Sequence, residues 1–260
     1  CSSLESIEIP ASVTEIDDHS FANCSSLSEI IIPSSVTKLG KYSFSGCSSL
    51  ENIEIPASVT EIDDHSFENC SSLSKIIIPS SVSKLGKYSF NGCSLLINIE
   101  IPVSITEIDD HSFANCSSLS KIIIPSSVSK LGKYAFNGCS SLINIELPEK
   151  VESIGVGCFS KCSSLIKINI PRNVIKIENL TFEKCSNLEE IIIESNVEYI
   201  GNSSFEECSS LSHIYLPLTL KSLGDFTFHK CSKLSHIFLG HELNSIGEKI
   251  FEGCESLKLI

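Results

Sequence analysis

Hydrophobic residues recur along the chain in one pattern, which repeats every 23 residues and is most regular from Cys70 to Gly92. With the recurring cysteine as position 1, leucine stands at position 4, isoleucine at 7 and isoleucine or leucine at 9. Positions 7 and 9 alternate with a variable residue, which is the period of a half-buried strand. We therefore predict one short strand in each repeat, with positions 7 and 9 facing the core.

Proline marks the end of the predicted strand at position 10 in most of the repeats. It has no N–H group to give to a sheet ladder, so a strand stops where it stands. The nine copies are Pro10, Pro33, Pro56, Pro79, Pro102, Pro125, Pro148, Pro171 and Pro217. We expect the eleven strands to stack in parallel as one curved sheet.

The second half of each repeat is predicted to be the return path of a coil. Valine at position 13 and isoleucine or leucine at 16 are expected to point inward. Glycine at position 17, as in Gly40 and Gly86, predicts a positive φ at a tight corner. Phenylalanine stands at position 21 in every repeat, from Phe21 to Phe251, which predicts a stacked phenylalanine spine. The convex stretch is too short for more than one turn of helix.

The recurring cysteine defines eleven full repeats and a partial twelfth, from Cys1 to Cys254. Self-similarity with a period of about 20–29 residues is the signature of a leucine-rich-repeat solenoid. We therefore predict a single solenoid domain over residues 1–260. Residues 1–138 carry an additional 46-residue period of nearly identical pairs, whereas the repeats in residues 139–260 are individually diverged.

The repeat LxxIxIPxSVxxIGxxAFxxCSSL resembles the BspA-like, or Treponema-type, leucine-rich repeat, and each repeat carries the resemblance. The resemblance implies an α/β-type leucine-rich-repeat solenoid. It would be right-handed, with a curved parallel sheet on the concave side and short turns or 3₁₀ segments on the convex side. It also implies a surface or secreted protein of host-associated bacteria or mucosal protists, acting in adhesion or recognition. It supplies no catalytic residues.

Charge and hydropathy narrow the choice of partners. The formal net charge of −13 argues against nucleic acid, which needs a basic face, and against adhesion to anionic lipid. No apolar run approaches the roughly 20 residues of a membrane span, so we predict no direct membrane insertion of this segment. Both ends lie inside a repeat, so we expect a piece of a longer array. Uncapped ends would favour end-to-end self-association.

Twelve of the 13 cysteines occupy one repeat position and are expected to form a ladder about 5 Å apart. That distance permits a disulfide, but parallel Cβ vectors do not favour its geometry. We favour a small buried side chain over a disulfide staple, which stays open as the alternative. The remaining cysteine, Cys158, stands where other repeats place serine or alanine and is interpreted as another small packed residue.

Charged segments alternate between odd and even repeats in the first half of the chain. Odd repeats carry EIDDHSF, as in 15–21, and even repeats carry KLGKYSF or KLGKYAF, as in 38–44. Stacked coils would place acidic and basic rungs next to each other, where opposite charges attract modestly.

The DDH triplets, as in 17–19, raise the question of a metal site, since carboxylate and imidazole are both metal ligands. Copies of the triplet recur in every second coil, about 10 Å apart, and neighbouring residues within one triplet diverge in direction. We favour a solvated acidic rung, and predict no metal and no cofactor. The cysteines are expected to be buried and far from the histidines, so we predict no catalytic residues and no enzyme.

Outward-facing strand positions are where we expect function. Near the C-terminal end, positions 6 and 8 bring together five exposed candidates for partner binding: Ile192, His213, Tyr215, His236 and Phe238. Aromatic residues in an exposed patch are common interface anchors, although strand-forming residues that shield the last coils are the alternative interpretation.

The exposed strand positions predict a protein-binding module that acts through the concave sheet, and the family resemblance implies that it belongs to a surface or secreted protein. Its partner would be a host cell-surface or matrix protein, or a neighbouring surface protein. A structural repeat scaffold is the alternative favoured by the near-identical repeats of residues 1–138. An intracellular, cytoplasmic interaction scaffold is a further alternative, which free thiols would permit.

Overall fold

The computed structural model describes residues 1–193 and 196–258, in which the chain winds through successive coils of a parallel-strand solenoid. These two ranges contain neither an α-helix nor a 3₁₀-helix, and turns and irregular segments connect the strands. The predicted fold class, a leucine-rich-repeat solenoid of mostly strand and coil, is confirmed.

A ladder of long strands lies at repeat positions 6–8, where the sequence predicted it. Each strand pairs in parallel with the strand one coil away, so that Ser6 lies opposite Glu29. In the repeat that begins at Cys139, a single bridge from Asn144 to Lys167 takes the place of the strand. The long strands within the described residues are Ser6–Glu8, Glu29–Ile31, Asn52–Glu54, Lys75–Ile77, Asn98–Glu100, Lys121–Ile123, Lys167–Ile170, Glu190–Ile193, His213–Tyr215 and His236–Phe238.

A second ladder of two-residue strands lies at positions 15 and 16, which the sequence analysis had described only as a return path. These strands also pair in parallel between coils, as Lys38 does with Glu61. A strand of two residues has one inward side chain and therefore shows no alternation along the chain. The short strands of the described residues are Glu15–Ile16, Lys38–Leu39, Glu61–Ile62, Lys84–Leu85, Glu107–Ile108, Lys130–Leu131, Ser153–Ile154, Lys176–Ile177, Tyr199–Ile200, Ser222–Leu223 and Ser245–Ile246.

One hydrophobic core runs between the two ladders. In the repeat from Cys70, the core residues Leu73, Ile76, Val82 and Phe90 are all buried. The predicted phenylalanine spine is confirmed, because neighbouring rings from Phe21 to Phe251 stack with centroids 5.3–5.9 Å apart. The assignment of residues 1–260 to one domain, with near-identical repeats up to residue 138 and diverged repeats after it, stays a prediction.

The predicted positive φ at the glycines of position 17 is wrong. The left-handed conformation occurs two and six residues later, for example at Tyr88 with φ 56° and Gly92 with φ 77°. Position 17 needs glycine for space: a Cβ on Gly86 would lie 2.4 Å from the backbone nitrogen of Asp64 in the preceding coil. Real Cβ atoms do not approach backbone atoms so closely, so glycine here permits the close stacking of coils.

Small polar side chains link each coil to an earlier one. Hydroxyl groups at positions 2 and 12 donate to backbone carbonyls of the preceding coil, as Ser71 does to Ser48 at 3.4 Å and Ser81 to Val59 at 2.7 Å. All 13 cysteines are free thiols, and the ladder is buried except at its ends. Cys158 is also fully buried. The cysteines therefore lie at the packed positions that the sequence indicated.

Candidate functional site

The long-strand face consists of the side chains at positions 6 and 8 of the long strands. Side chains alternate in direction along a strand, so these two positions point away from the core while position 7 points into it. In the strand His213–Tyr215, both end residues are exposed and Ile214 between them is buried. The face is thus a set of parallel rows, one side chain per coil, on a rigid buried base.

The five candidate residues from the sequence do come together on this face, and we call them the C-terminal patch. Tyr215 is 76% exposed, Phe238 64% and Ile192 38%. Tyr215 lies opposite Phe238 in the strand register, and His213 lies opposite His236. The patch is therefore two adjacent rows, one apolar and aromatic and the other of imidazoles.

Local contacts orient both histidines of the C-terminal patch. The Nδ1 atom of His213 lies 2.9 Å from the hydroxyl oxygen of Ser212, and the Nδ1 atom of His236 lies 2.9 Å from that of Ser235. The ring of His213 also packs edge-on against Tyr215, with centroids 5.6 Å apart. Each serine contact is made through Nδ1 and holds the imidazole ring next to its own strand.

The C-terminal patch contains a small depression of about 120 Å³, lined by Glu190, Ile192, His213 and Tyr215 among others. Small-molecule sites usually enclose about 300–1,000 Å³, so this recess suits a single side chain of a protein partner. Glu190 at its rim pairs with Lys167 of the preceding coil at 2.9 Å. The geometry favours a contact surface over a small-molecule pocket.

An earlier stretch of the position 8 row also exposes apolar side chains, and the sequence analysis did not single it out. In the first six repeats and the start of the seventh, position 8 alternates between glutamate and isoleucine. The isoleucines Ile31, Ile77 and Ile123 are 70%, 61% and 58% exposed. A depression of about 770 Å³ crosses this row between Ile31 and Ile77. The 46-residue period was the sequence signal for this row, because it makes position 8 alternate.

Histidine and tyrosine rings form another ladder, at position 19, that the sequence analysis missed. His19, Tyr42, His65, Tyr88, His111 and Tyr134 stack face to face, with centroids 4.3–5.0 Å apart. The ladder ends at Gly157, where a Cβ would lie 2.2 Å from the ring of Tyr134. The histidines of the DDH triplets are therefore parts of an aromatic stack.

The carboxylates of the DDH triplets hold neighbouring coils together. Asp64 accepts a hydrogen bond from the backbone N–H of Lys87 in the next coil at 2.9 Å. Its other oxygen pairs with the ammonium group of Lys41 in the preceding coil at 3.2 Å. No cluster of three histidine, cysteine or acidic side chains suited to a metal ion occurs in residues 1–193 and 196–258.

The predicted attraction between acidic and basic rungs is confirmed by three ion pairs. They join Lys41 to Asp64 at 3.2 Å, Lys87 to Asp110 at 3.3 Å and Lys130 to Glu107 at 3.3 Å. Partial burial alone would raise the pKa of Asp64. The Lys87 N–H and the Lys41 ammonium outweigh burial and bring the pKa of Asp64 below its ordinary value. The carboxylate is therefore stabilised in its charged form, as a structural rung requires.

Burial also determines the chemistry of the thiols. It raises the pKa of Cys116 and of Cys162 to about 12, so neither thiol ionises at neutral pH. The thiolate is the nucleophilic form of cysteine, so these side chains are structural in character. The described surface therefore presents exposed apolar, aromatic and charged side chains.

A family model described as the BspA type leucine rich repeat region matches the chain in six copies, over residues 1–119, 60–189 and 158–260. A search among curated proteins gave no match.

Solved structures show the same architecture. A leucine-rich repeat protein from Bacteroides ovatus is 27% identical, with a TM-score of 0.55, and the match covers 98% of this chain and 86% of that one. A leucine rich cell surface protein from Faecalibacterium prausnitzii is 26% identical, with a TM-score of 0.65 and coverage of 98% and 87%. The leucine rich repeat protein of T. pallidum is 33% identical over 62% of this chain and 78% of that one, with a TM-score of 0.59.

Within the described residues, no helix has the length and apolar character needed to cross a bilayer.

Proposed function

Since the chain belongs to the BspA-type leucine-rich-repeat family, we propose that it is a non-enzymatic module of a surface or secreted protein that binds another protein through its long-strand face. Leucine-rich-repeat solenoids are scaffolds for protein interactions and are not typical of enzymes. The similar structure from Faecalibacterium prausnitzii is that of a cell surface protein, which supports a surface location for this chain. The partner would be a host cell-surface or matrix protein, or a neighbouring surface protein, and the role adhesion or recognition.

The C-terminal patch is the observation that carries this proposal. Two aromatic side chains, Tyr215 and Phe238, lie side by side in register and are mostly exposed. Large apolar side chains on a flat surface gain free energy when a partner covers them. Aromatic residues are also enriched among the few that dominate binding energy. His213 and His236 beside them supply hydrogen bonds that fix the orientation of a partner.

A structural scaffold is the second candidate, and the regularity of the first six coils favours it. Their phenylalanine rings and serine hydroxyls make the same contacts in coil after coil, which suits an array whose length and stiffness matter. A scaffold does not require the diverged, aromatic strands at the C-terminal end.

Binding to purified matrix and cell-surface proteins on a panel tests the proposal. The wild-type chain is compared with a variant that carries Tyr215→Ser and Phe238→Ser. The matched control carries Ile31→Ser and Ile77→Ser, which remove similarly exposed side chains from the same face. We expect at least one panel protein to bind, with about tenfold or greater weakening in the first variant only. Equal binding by all three chains, or no binder in the panel, would contradict the proposal.

A further inference from the structure

We propose that the first six coils of the long-strand face bind a basic amphipathic α-helix that lies along the solenoid axis. Its contact stripe would carry apolar side chains in every second turn and lysine or arginine in the turns between. This surface is separate from the C-terminal patch, and its occupant differs in chemistry from an aromatic-binding partner.

The proposal starts from the row at position 8, which we call the Ile/Glu row. It alternates glutamate and isoleucine over seven consecutive coils: Glu8, Ile31, Glu54, Ile77, Glu100, Ile123 and Glu146. The alternation is in register, since Glu54 lies opposite Ile31 on one side and Ile77 on the other. All seven side chains are exposed. The row thus presents apolar and negative groups in strict alternation along one line.

The glutamates of the row are available to a partner. No ion pair within the described residues includes Glu8, Glu54, Glu100 or Glu146. A carboxylate held between two exposed isoleucines is best complemented by a cation, because complementary charges fix the register of a complex.

Two lysines on the same face place positive charge beside the Ile/Glu row. Lys75 and Lys121 lie in the neighbouring row at position 6, one row away from the glutamates, and neither forms an ion pair in the described structure. They would face the flank of the helix. A helix with lysine or arginine in its contact stripe and acidic residues on one flank is therefore the complementary ligand.

The distance between coils favours an α-helix over a β-strand or a polyproline II segment as the bound ligand. Neighbouring parallel strands lie about 4.8 Å apart, so the isoleucines recur about every 9.6 Å. On an α-helix, side chains three or four residues apart share a face and advance by about 5.3 Å, close to one coil. Same-face residues of a β-strand advance by about 6.7 Å. Polyproline II returns to one face only every 9.3 Å or so, which would match the isoleucines and skip the glutamates.

The mismatch between helix and solenoid limits the length of the contact. It amounts to about 0.5 Å per coil, or about 2 Å over the four steps from Ile31 to Ile123, which side-chain rotamers absorb. Three isoleucines and the two glutamates between them would then meet about four turns of helix. The depression between Ile31 and Ile77 gives the first of these contacts a recess.

A pair of synthetic peptides tests this inference on the intact chain. One helical peptide of about 20 residues places leucine at every seventh position and lysine four residues after each leucine. The other has the same composition and charge, with its leucines and lysines redistributed around the helix. Fluorescence anisotropy measures the binding of both. We expect the patterned peptide to bind with about tenfold or greater preference over the redistributed one.

Charge reversal then locates the site. Glu54→Lys with Glu100→Lys should weaken binding of the patterned peptide by about tenfold, and replacing the peptide lysines by glutamate should restore it. Glu61→Lys with Glu107→Lys, on the short strands, is the matched control and should have little effect. Tyr215→Ser with Phe238→Ser should also leave peptide binding unchanged, which separates this site from the C-terminal patch. Equal binding of the two peptides, or no rescue by the reversed peptide, would overturn the inference.

Discussion

The thiol of Cys93 donates a hydrogen bond to the backbone carbonyl of Phe67, 26 residues earlier, with 3.2 Å between sulfur and oxygen. The same bond recurs in the described coils from Cys47 to Cys254, at 3.0–3.2 Å. Each of these ten cysteines therefore fills a small packed position and also ties its own coil to the phenylalanine spine. This double role gives a physical reason for cysteine at a position where no disulfide forms.

We expect Cys93→Ala to destabilise the chain by about 1–2 kcal/mol. The substitution removes buried volume and one weak hydrogen bond. The carbonyl of Phe67 keeps its second bond, from the backbone N–H of Cys70 at 3.2 Å, so no buried acceptor is left unpaired. The shift of the urea unfolding midpoint measures the change. Cys1→Ala, at an exposed position, is the control, and an equal shift in both variants would contradict the assigned role.

The thiol ladder predicts that stability falls steeply in alkaline solution. Burial raises the pKa of Cys47, Cys116 and Cys162 from the ordinary value of 9.0 to about 12. Above about pH 9 the unfolded chain loses these protons while the folded chain keeps them, so the unfolded state gains stability. Each such thiol then costs about 1.4 kcal/mol per pH unit between about pH 9 and pH 12. Unfolding midpoints recorded from pH 7 to 11 test this.

The Cys116→Ala variant provides the control for the alkaline effect. It should be less stable than wild type at pH 7 and should lose less stability on going to pH 11, because one titrating thiol is gone. Parallel pH profiles for the two proteins would show that other groups cause the alkaline loss.

The sequence predicted most of the fold because each buried position recurs at one place in every repeat. Leucine at position 4, isoleucine at 7 and phenylalanine at 21 form the core, and their recurrence from repeat to repeat identified them. The short strands escaped prediction because a pair such as Lys38 and Leu39 shows no period of its own. The glycine of position 17 was misinterpreted because its constraint is the distance to the preceding coil, which no single repeat reveals.

The sequence predicted the candidate site less completely than the fold. Residues at positions 6 and 8 were placed correctly on one exposed face, because strand alternation determines direction. The stack of His65 on Tyr88 was missed because position 19 alternates between two residue types, whereas the phenylalanine spine repeats a single residue. The alternation of the Ile/Glu row can be read from the sequence. Whether it matches the spacing of side chains on a helix depends on the distance between coils. Contacts between coils could therefore be recognised only in the structure.

We expect Gly86→Ala to destabilise the array by about 1–3 kcal/mol. Its Cβ would lie 2.4 Å from the nitrogen of Asp64 and 2.5 Å from the carbonyl carbon of Asp63, both backbone atoms, so two coils must separate. Gly240→Ala is the matched control: its nearest neighbour would be the Cα of Leu218 at an ordinary 3.6 Å. That variant should be neutral or more stable by about 0.5 kcal/mol, through lower entropy of the unfolded chain. Thermal midpoints that fall equally would contradict the close-packing explanation.

Asp64 makes a final prediction possible, because other coils already hold asparagine at its position. Asn179 and Asn202 accept the same backbone hydrogen bond through Oδ1, from Asn202 and Asp225 at 2.8 and 3.0 Å. Asp64→Asn should therefore keep the bond from Lys87 and lose only the surface ion pair with Lys41, which contributes little. Asp64→Ala loses both contacts and should cost about 1 kcal/mol more than the asparagine variant.

The pH dependence of the same variants separates the two contacts. The pKa of Asp64 is lowered in the folded chain, so the contribution of its charge is complete above the ordinary aspartate pKa near 4. That contribution disappears as the pH falls through the lowered value. The small stability difference between wild type and Asp64→Asn should therefore vanish once the pH lies below the lowered pKa of Asp64. The difference between Asp64→Asn and Asp64→Ala should persist, because the amide oxygen does not titrate. Equal stability of Asp64→Asn and Asp64→Ala at every pH would show that charge, and not the backbone hydrogen bond, holds adjacent coils together at this rung.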